Sequence, residues 1–408
     1  MGTSQPLAIW RQPAVIVLWT LLWLIVIDIG VNLVFGAANF VSQPSAWSRY
    51  FEYGRSVEGK LTHMVAADPK NGGQMLSTGW LDHEYLESKP ARAQEGHDLL
   101  MAVYGQSFTL NAAHEAARID SRITVRGIGG PGAPPSHSYA AYKEDAPLRK
   151  ADVVVFGVLS SGVPLMGSLS GLVWMFASPA PYTFPRYRVS GDQLTEELPA
   201  IRSEAEFRQA FTRKSAQWHG FKDQLRRSDR GYDRFTFDAS LTDASSVGRL
   251  VRRGWVAHAQ AYENGVYDPR SGFNADADEV RALKAILVDL GRRTCERGER
   301  LVILLLHTQG QSDHLHRALE NTLKQARLEY ISTHSYFSAN DPRNYRPDGH
   351  YTDVANGDLS RALLDLVRSG KSAAGNRNCA TAASKSGASG MPLTLTLPGT
   401  RMKDHERR

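Results

Sequence analysis

The chain has 408 residues, of which 42% are hydrophobic, 22% charged and 9% aromatic. It can therefore bury a sizeable core, which excludes a mini-protein, a collagen-like chain and a wholly disordered one. Its two cysteines exclude a disulfide scaffold and a zinc module of paired CxxC motifs. The net charge of +6 is concentrated in residues 371–408, where seven basic residues accompany two acidic ones. This distribution, with no nucleic-acid motif, argues against a nucleic-acid binder.

The first element along the chain is an apolar run over residues 13–36, which follows a short tail (1–12) and has Asp28 as its only formal charge. About 20 apolar residues span a bilayer core, so the run predicts one transmembrane signal anchor. The run lacks the cleavage site of a signal peptide, and a buried core helix would have to hide large side chains on every face. Asp28 and Asn32 share one helical face, where they mark either a helix–helix contact or the outer membrane interface.

The orientation of the anchor is not decided by charge, since Arg11 lies on one side of it and Arg49 and Arg55 on the other. The short amino tail and the long region that follows favour export of the soluble part. Residues 37–94 are expected to form a membrane-proximal linker with helical segments. A second uncharged stretch, residues 153–177, is broken by glycines, serines and a proline, and it predicts a buried strand, a tight loop and a short helix rather than a second span.

Apolar strands alternate with helices over residues 95–370. The strands are predicted at 99–105, 121–130, 152–159 and 301–307, and the helices at 107–118, 276–298, 314–328 and 358–370. Continuous apolar strands between helices are typical of a mainly parallel sheet covered on both faces, so the fold class is α/β. Residues 178–275, rich in Arg, Asp, Ser and aromatics, are expected to be an insertion of loops and helices. Residues 371–408 are expected to be a disordered basic tail.

Two motifs at the predicted carboxyl edge of this sheet carry the chemistry. The first, Gly105–Thr109, places the Ser107 amide at a helix N-terminus and its hydroxyl where open α/β sheets bind ligands. The second precedes the last helix and holds Asp348 and His350. Histidine can act as general base to a serine, and a carboxylate can orient the histidine. Taken alone, Ser107 would be a helix N-cap and His350 a loop histidine, but their order and strand–helix context favour a catalytic pair.

In these motifs the sequence resembles the SGNH/GDSL hydrolase superfamily, over residues 95–165 and 275–368. Gly105–Thr109 is similar to the first block of that family, and the glycine-rich loop 126–132 is similar to its second block. The resemblance implies a three-layer α/β/α, flavodoxin-like domain that needs no cofactor and no metal.

The resemblance also implies the residues that do the chemistry. Ser107 would be the nucleophile, His350 the base and Asp348 its orienting carboxylate. The amides of Ser107 and Gly132 would form an oxyanion hole, with Ser160 as a tentative third donor.

The sequence departs from the family pattern at three points. Gln106 replaces the usual aspartate before the nucleophile. The third block, residues 157–162, lacks its oxyanion asparagine, so that Ser160 or Ser161 would have to supply a donor. One residue separates Asp348 from His350 where most of the superfamily has two, a spacing similar to that of alginate acetyltransferase-like members.

The resemblance implies a membrane-anchored serine esterase or O-acyltransferase that acts on acyl, commonly acetyl, esters of an envelope or extracellular glycan. The partners would be an acylated carbohydrate or small ester and the membrane, which the N-terminal helix enters. The setting would be the bacterial cytoplasmic membrane, crossed once, with the soluble domain in the periplasm. The alternative is a catalytically reduced binding or assembly protein within an envelope polysaccharide machine, which the departures at Gln106 and in the third block favour.

Two weaker signals have two interpretations each. Residues 307–316 hold three histidines and Asp313, which could ligate a metal but match no closed zinc set, and a loop at the sheet edge is the alternative. Cys295 and Cys379 either pair in an exported domain or remain free thiols.

Overall fold

The computed structural model describes residues 11–36, 50–66, 74–191, 193–259 and 265–369. The amino-terminal tail, the basic tail 371–408 and Cys379 lie outside the described residues, so the predictions for them stay predictions.

The N-terminal apolar run forms a helix, α1 (Arg11–Val31), that continues as a π-helical turn, Asn32–Gly36. Over Pro13–Val34 it is long and apolar enough to cross a membrane, and its side chains are not covered by the rest of the protein. Among the described residues no other helix has this length and composition. Residues 153–177 form a strand, two 3₁₀ turns and a one-turn helix, as the sequence predicts.

The remaining elements alternate along the chain. The helices are α2 (Val57–Ala66), α3 (Gln74–Ser77), α4 (His83–Glu87), α5 (Ser107–Ile119), α6 (Pro135–Asp145), α7 (Gly171–Trp174), α8 (Glu204–Thr212), α9 (Ala216–Ser228), α10 (Arg234–Phe237), α11 (Ser246–Ala259), α12 (Asp278–Glu296), α13 (His314–Gln325) and α14 (Asp353–Ser369). The strands are β1 (Leu99–Tyr104), β2 (Ile123–Ile128), β3 (Val153–Leu159), β4 (Arg186–Ser190), β5 (Gln193–Glu197), β6 (Tyr267–Asp268), β7 (Gly272–Phe273), β8 (Arg300–Leu306) and β9 (Glu329–Ser332).

The central sheet has five strands in the order β2-β1-β3-β8-β9, and every neighbouring pair is parallel. The prediction of a parallel sheet is confirmed. Its fifth strand, β9, is not predicted, because it is short and only half buried at the sheet edge. The last helix begins at Asp353, five residues before its predicted start.

Helices cover both faces of the sheet because alternate strand residues point to opposite sides. On one face, Leu99, Met101 and Val103 of β1 pack under α5 and α14. On the other face, Leu100 and Ala102 pack under α6, α12 and α13. The nucleophile motif and the histidine motif precede α5 and α14, so both belong to the same face.

A second core lies beside the sheet, in what we call the aromatic region: the described residues of 57–80 and 169–256. Its buried side chains include many large rings: Trp80, Phe176, Tyr182, Phe184, Phe207, Phe211, Trp218, Phe221 and Phe237. The insertion 178–275 thus packs against the membrane-proximal helices. It also contains two short antiparallel pairs, β4–β5 and β6–β7, in addition to the expected loops and helices.

Candidate active site

Ser107 and His350 meet at the carboxyl edge of the sheet. Ser107 opens α5, His350 lies three residues before α14, and the two helices pack side by side. Ser107 Oγ lies 2.7 Å from His350 Nε2, although the residues are 243 positions apart. This is the distance of a serine–histidine hydrogen bond, and it lets the ring accept the hydroxyl proton.

His350 is held by a short hairpin between Tyr345 and Tyr351, which pair as an antiparallel bridge. The N–H of Gly349 donates to the carbonyl of Arg346 and closes a tight turn, in which Gly349 has a φ of +86°. Pro at the second position and Gly at the fourth suit such a turn. The sequence Arg-Pro-Asp-Gly-His therefore encodes the bend that presents the histidine.

Two tyrosines fasten this hairpin to the end of β8. The hydroxyls of Tyr345 and Tyr351 both donate to the backbone carbonyl of His307, at 3.0 and 2.8 Å. The N–H of His307 in turn donates to Thr333 Oγ1 at 3.1 Å. The position of the His350 ring thus depends on buried hydrogen bonds to the sheet.

Asp348 contacts His350 at two points. The backbone N–H of His350 donates to Oδ1 at 3.0 Å, and Oδ2 lies 3.3 Å from the ring Nδ1. The backbone hydrogen bond, with the nearby ring, lowers the pKa of the Asp348 carboxyl. Its side chain is 62% exposed, so solvent weakens its electrostatic effect on the ring. Asp348 is placed to orient His350, but more loosely than a buried carboxylate would be.

Phe108 provides the third contact on the histidine. Its ring stacks on His350 with centroids 4.8 Å apart and an angle of 20° between the planes, and it meets Tyr351 edge-on. Stacking fixes the plane of the imidazole, which in turn directs Nε2 at the serine. Phe108 lies inside the Gly105–Thr109 motif, but its contact with His350 could not be predicted, because the two residues are far apart in the sequence.

Glycines at the strand ends allow α5 to start directly above the sheet. A side chain at Gly105 or Gly157 would collide with Thr109 in the first turn of the helix, and one at Gly129 would collide with the carbonyl of Gly105. The ends of β1, β2 and β3 therefore converge on the start of α5. The side chain of Gln106 does not cap the helix, and within the described residues the N–H groups of Ser107 and Phe108 donate no hydrogen bond.

The glycine loop after β2 is pinned from the aromatic region. Tyr182 donates its hydroxyl hydrogen bond to the Pro131 carbonyl at 2.8 Å. Gly132 has a φ of +59°, and the Trp174 ring fills the place of a side chain there. Within the described residues the Gly132 N–H donates no hydrogen bond, which leaves it available to a ligand.

The hydroxyl of Ser160, the third predicted donor, is hydrogen-bonded to Thr308. This buried hydroxyl donates to Thr308 Oγ1 at 3.1 Å and accepts from the Thr308 N–H at 2.8 Å. The N–H of Ser161 also donates to Thr308 Oγ1. These bonds tie the end of β3 to the end of β8, so the structure does not direct the Ser160 proton toward Ser107.

Gln106 is buried and its side-chain amide lies beside Gly162, at the end of the third block. A carboxylate buried at this position would carry a desolvation cost. The amide avoids that cost and adds N–H groups at the edge where the three loops meet.

The histidines that could ligate a metal lie after β8, at His307, and in the first turn of α13, at His314 and His316. His307 is buried at the end of β8, where burial and the neighbouring His334 and His316 lower its pKa to about 3. No group of three or more histidine, cysteine, aspartate or glutamate side chains in the described ranges is arranged to hold a metal ion. Cys295 is disulfide-bonded, but Cys379 lies outside the described residues, so the pairing of these two cysteines stays a prediction.

No family model matches the chain, and no curated protein matches it either.

Proposed function

We propose that this protein is a membrane-anchored serine esterase or O-acyltransferase of the SGNH type. The observation that carries the proposal is the 2.7 Å contact between Ser107 Oγ and His350 Nε2 at the carboxyl edge of a parallel sheet. A serine N-cap or a loop histidine needs no such partner, whereas a nucleophile and its base do. The strand order, with β1 between β2 and β3, supports a ligand site at this edge.

The reaction follows from these positions. His350 Nε2 takes the Ser107 proton while Oγ attacks the carbonyl carbon of an acyl ester. The ester bond breaks, the leaving alkoxide takes the proton from His350, and the acyl group stays on Ser107. A water molecule or a sugar hydroxyl then gives its proton to His350 and attacks the acyl-serine. The ester bond to Ser107 Oγ breaks, and Oγ takes the proton back from His350. Water as acceptor gives hydrolysis, and a sugar hydroxyl gives transfer.

The negative charge on the carbonyl oxygen would be stabilised by the amides of Ser107 and Gly132. The first is free at a helix N-terminus, and the second lies in a loop that Tyr182 and Trp174 hold. In a comparable enzyme the loss of one such donor costs about 10²–10³ in rate. With Ser160 bound to Thr308, we expect slow turnover unless the Gln106 amide supplies the third donor.

The substrate class we propose is an acylated, commonly acetylated, glycan of a bacterial envelope, with the soluble domain on the periplasmic side. The disulfide at Cys295 supports export, because cytosolic proteins rarely keep disulfides. The anchor helix would hold the catalytic domain beside its substrate at the membrane.

A second candidate is a binding or assembly protein in a polysaccharide machine that has lost most of its activity. The hydrogen bonds that hold the Ser160 hydroxyl favour it, since they leave the third block without a free side-chain donor. The esterase or acyltransferase predicts turnover that depends on Ser107, whereas the binding or assembly protein predicts little or none.

The experiment is hydrolysis of an aryl acetate by the full chain in detergent. We expect measurable release of the phenol, with a loss of about 10³-fold or more in Ser107→Ala and His350→Ala. Ser335→Ala, at an unrelated serine, is the matched control. Equal rates for wild type and Ser107→Ala would refute the esterase, and an acetylated sugar formed with an added glycan would favour transfer.

A further inference from the structure

Helix α11 buries two of its arginines and exposes a stripe of apolar residues. Arg249 and Arg252 are buried, while Leu250, Val251 and Trp255 are exposed, at 37%, 60% and 48%. In chain order the outward stripe is Val247, Leu250, Val251, Gly254 and Trp255, spaced as one face of an α-helix. A soluble helix buries its apolar stripe, so the arrangement requires an apolar neighbour outside the described fold.

The buried arginines explain why the helix is held in this inverted position. Arg249 donates to Glu52 at 2.8 Å and to the carbonyl of Asp243 at 2.9 Å. Arg252 donates to the Asp243 carboxylate at 2.6 Å and to the carbonyl of Phe235 at 2.7 Å. Rotating the helix to bury its apolar stripe would break all of these bonds. The outward stripe is therefore a fixed property of the fold.

The stripe starts where the anchor helix ends. Asp28 Oδ1 accepts from the Val247 N–H at 2.8 Å, and Asn32 Oδ1 accepts from Ser246 Oγ at 3.0 Å. The polar pair on α1 thus marks a helix–helix contact, one of the two expectations from the sequence. Asp28 lies roughly 9 Å along the helix axis from Val34, the end of the span, at about 1.5 Å per residue. The N-terminus of α11 therefore meets the anchor within the last two turns of the span, next to one membrane interface.

We propose that α11 lies on the membrane surface, with its outward stripe inserted among the lipids beside the anchor. The neighbouring side chains suit that position: the Arg253 guanidinium lies 4.0 Å from the centre of the Tyr50 ring and 5.8 Å from that of Tyr53, both exposed. Tryptophan, tyrosine and arginine are the residues that occupy the headgroup level. Residues 246–259 contain no acidic side chain, so anionic lipids meet no repulsion from this helix.

Lipid fits this stripe better than a second copy of the chain. The stripe is continuous with a helix that already requires a membrane, so no partner has to be recruited to cover it. The surface role also explains the inverted pattern, because an interfacial helix keeps charge toward water or protein and apolar residues toward the acyl chains. The soluble domain is then held at two points, which fixes its tilt relative to the membrane.

The test is an environment-sensitive fluorophore on a single cysteine of the full chain, in vesicles of phosphatidylcholine and phosphatidylglycerol. The label is placed by Val251→Cys or, as matched control, by Val288→Cys, a valine 48% exposed on α12. Cys295 is disulfide-bonded and does not compete for the label without reductant. Ile25→Cys, within the anchor, reports whether α1 is inserted.

We expect a blue-shifted emission at position 251, with quenching by lipids that carry doxyl groups near the headgroup and protection from aqueous iodide. Position 288 should show an aqueous spectrum and iodide quenching, and position 25 should be quenched by deeper doxyl groups. An aqueous spectrum at 251 while 25 is quenched would overturn the proposal, as would an aqueous spectrum at both. Protection at 251 without doxyl quenching would also overturn it, and would point to residues 37–49 or a second copy as the cover.

Discussion

The sheet core and the aromatic region differ in the side chains that they bury and in the interactions that hold their segments together. The sheet buries apolar strands paired in a parallel ladder, and its few buried charges include the pair of Arg126 and Asp145 at 3.0 Å. The aromatic region joins distant segments and holds them with buried ionic side chains, among them Asp243, Arg249 and Arg252. The sheet edge presents Ser107 and His350, while the aromatic region fastens the loop of Gly132 and contacts the anchor. The chemistry thus depends on the sheet for position and on the aromatic region for support.

The substitution with the largest expected effect on stability is Asp243→Ala, which removes a buried charge from the aromatic region. The Asp243 carboxylate accepts from the N–H and hydroxyl of Ser56 at 2.7 Å each and from Arg252 at 2.6 Å. Asp243→Ala leaves the fully buried Arg252 without its charge partner, which should lower the free energy of unfolding by about 3–5 kcal/mol. Thermal melting of the full chain in detergent measures it.

The control for this variant is Asp278→Ala, which removes an exposed pair with Arg281 at 3.7 Å. Exposed pairs contribute about 0–1 kcal/mol, so its melting temperature should stay close to wild type. Equal shifts in the two variants would contradict the claim that buried charge holds the aromatic region together.

At the sheet edge, Asp348→Asn tests how much the exposed carboxylate contributes. An asparagine keeps the shape but removes the charge, and it can turn its donor NH₂ group, instead of an acceptor oxygen, toward His350 Nδ1. Because Asp348 is 62% exposed, we expect kcat for aryl acetate hydrolysis to fall by only about 10–100-fold, less than the loss of about 10⁴ seen for a buried carboxylate in a serine triad. A loss as large as that of Ser107→Ala would mean that the carboxylate acts in a closed, water-free site.

In the aromatic region a buried lysine should make the free energy of unfolding depend on pH above about pH 6. Burial lowers the pKa of Lys60 to about 6, and the Arg252 charge adds to this effect. Between about pH 6 and pH 10 the unfolded chain binds a proton that the folded protein does not, so stability rises with pH across this window. The slope reaches at most about 1.4 kcal/mol per pH unit.

Lys60→Met removes the titrating group and should flatten this slope. Melting temperatures of wild type and Lys60→Met at several pH values between 6 and 9 check it. Parallel curves for the two proteins would show that Lys60 is not a neutral, buried amine.

The smallest effect concerns the contact that joins the two regions. Tyr182→Phe removes the hydrogen bond to the Pro131 carbonyl and keeps the ring packed on the loop. One hydrogen bond contributes about 1 kcal/mol, so kcat should fall by roughly fivefold with KM nearly unchanged. Thr195→Val, which removes an exposed hydroxyl that bonds Arg188, is the control. An unchanged kcat would show that catalysis does not depend on this hydrogen bond between the aromatic region and the loop of Gly132.

Much of the sheet and the central pair could be predicted from the sequence. Buried parallel strands are continuous apolar runs, which explains why β1, β3 and β8 are found nearly to the residue, whereas β9 carries Glu329 and Tyr330 at an exposed edge. Ser107 and His350 follow from their places before helices. The bonds that hold Ser160 could not be predicted, because Thr308 lies 148 positions away, in the loop after β8.

The aromatic region could not be predicted either, since its core joins segments from residue 57 to residue 256 with no shared period. The inverted face of α11 has a sequence signal, an apolar stripe beside three arginines. Which side faces outward depends on Glu52 and Asp243, whose approach only the fold shows.

The central claim is that Ser107 is an activated nucleophile. The most direct measurement is labelling of the full chain with a fluorophosphonate probe, followed by intact-mass analysis. We predict one adduct on the wild type, none on Ser107→Ala and a strongly slowed reaction on His350→Ala, because the probe reacts with a serine only when a base takes its proton. Equal labelling of wild type and Ser107→Ala, or no labelling of either, would contradict the account.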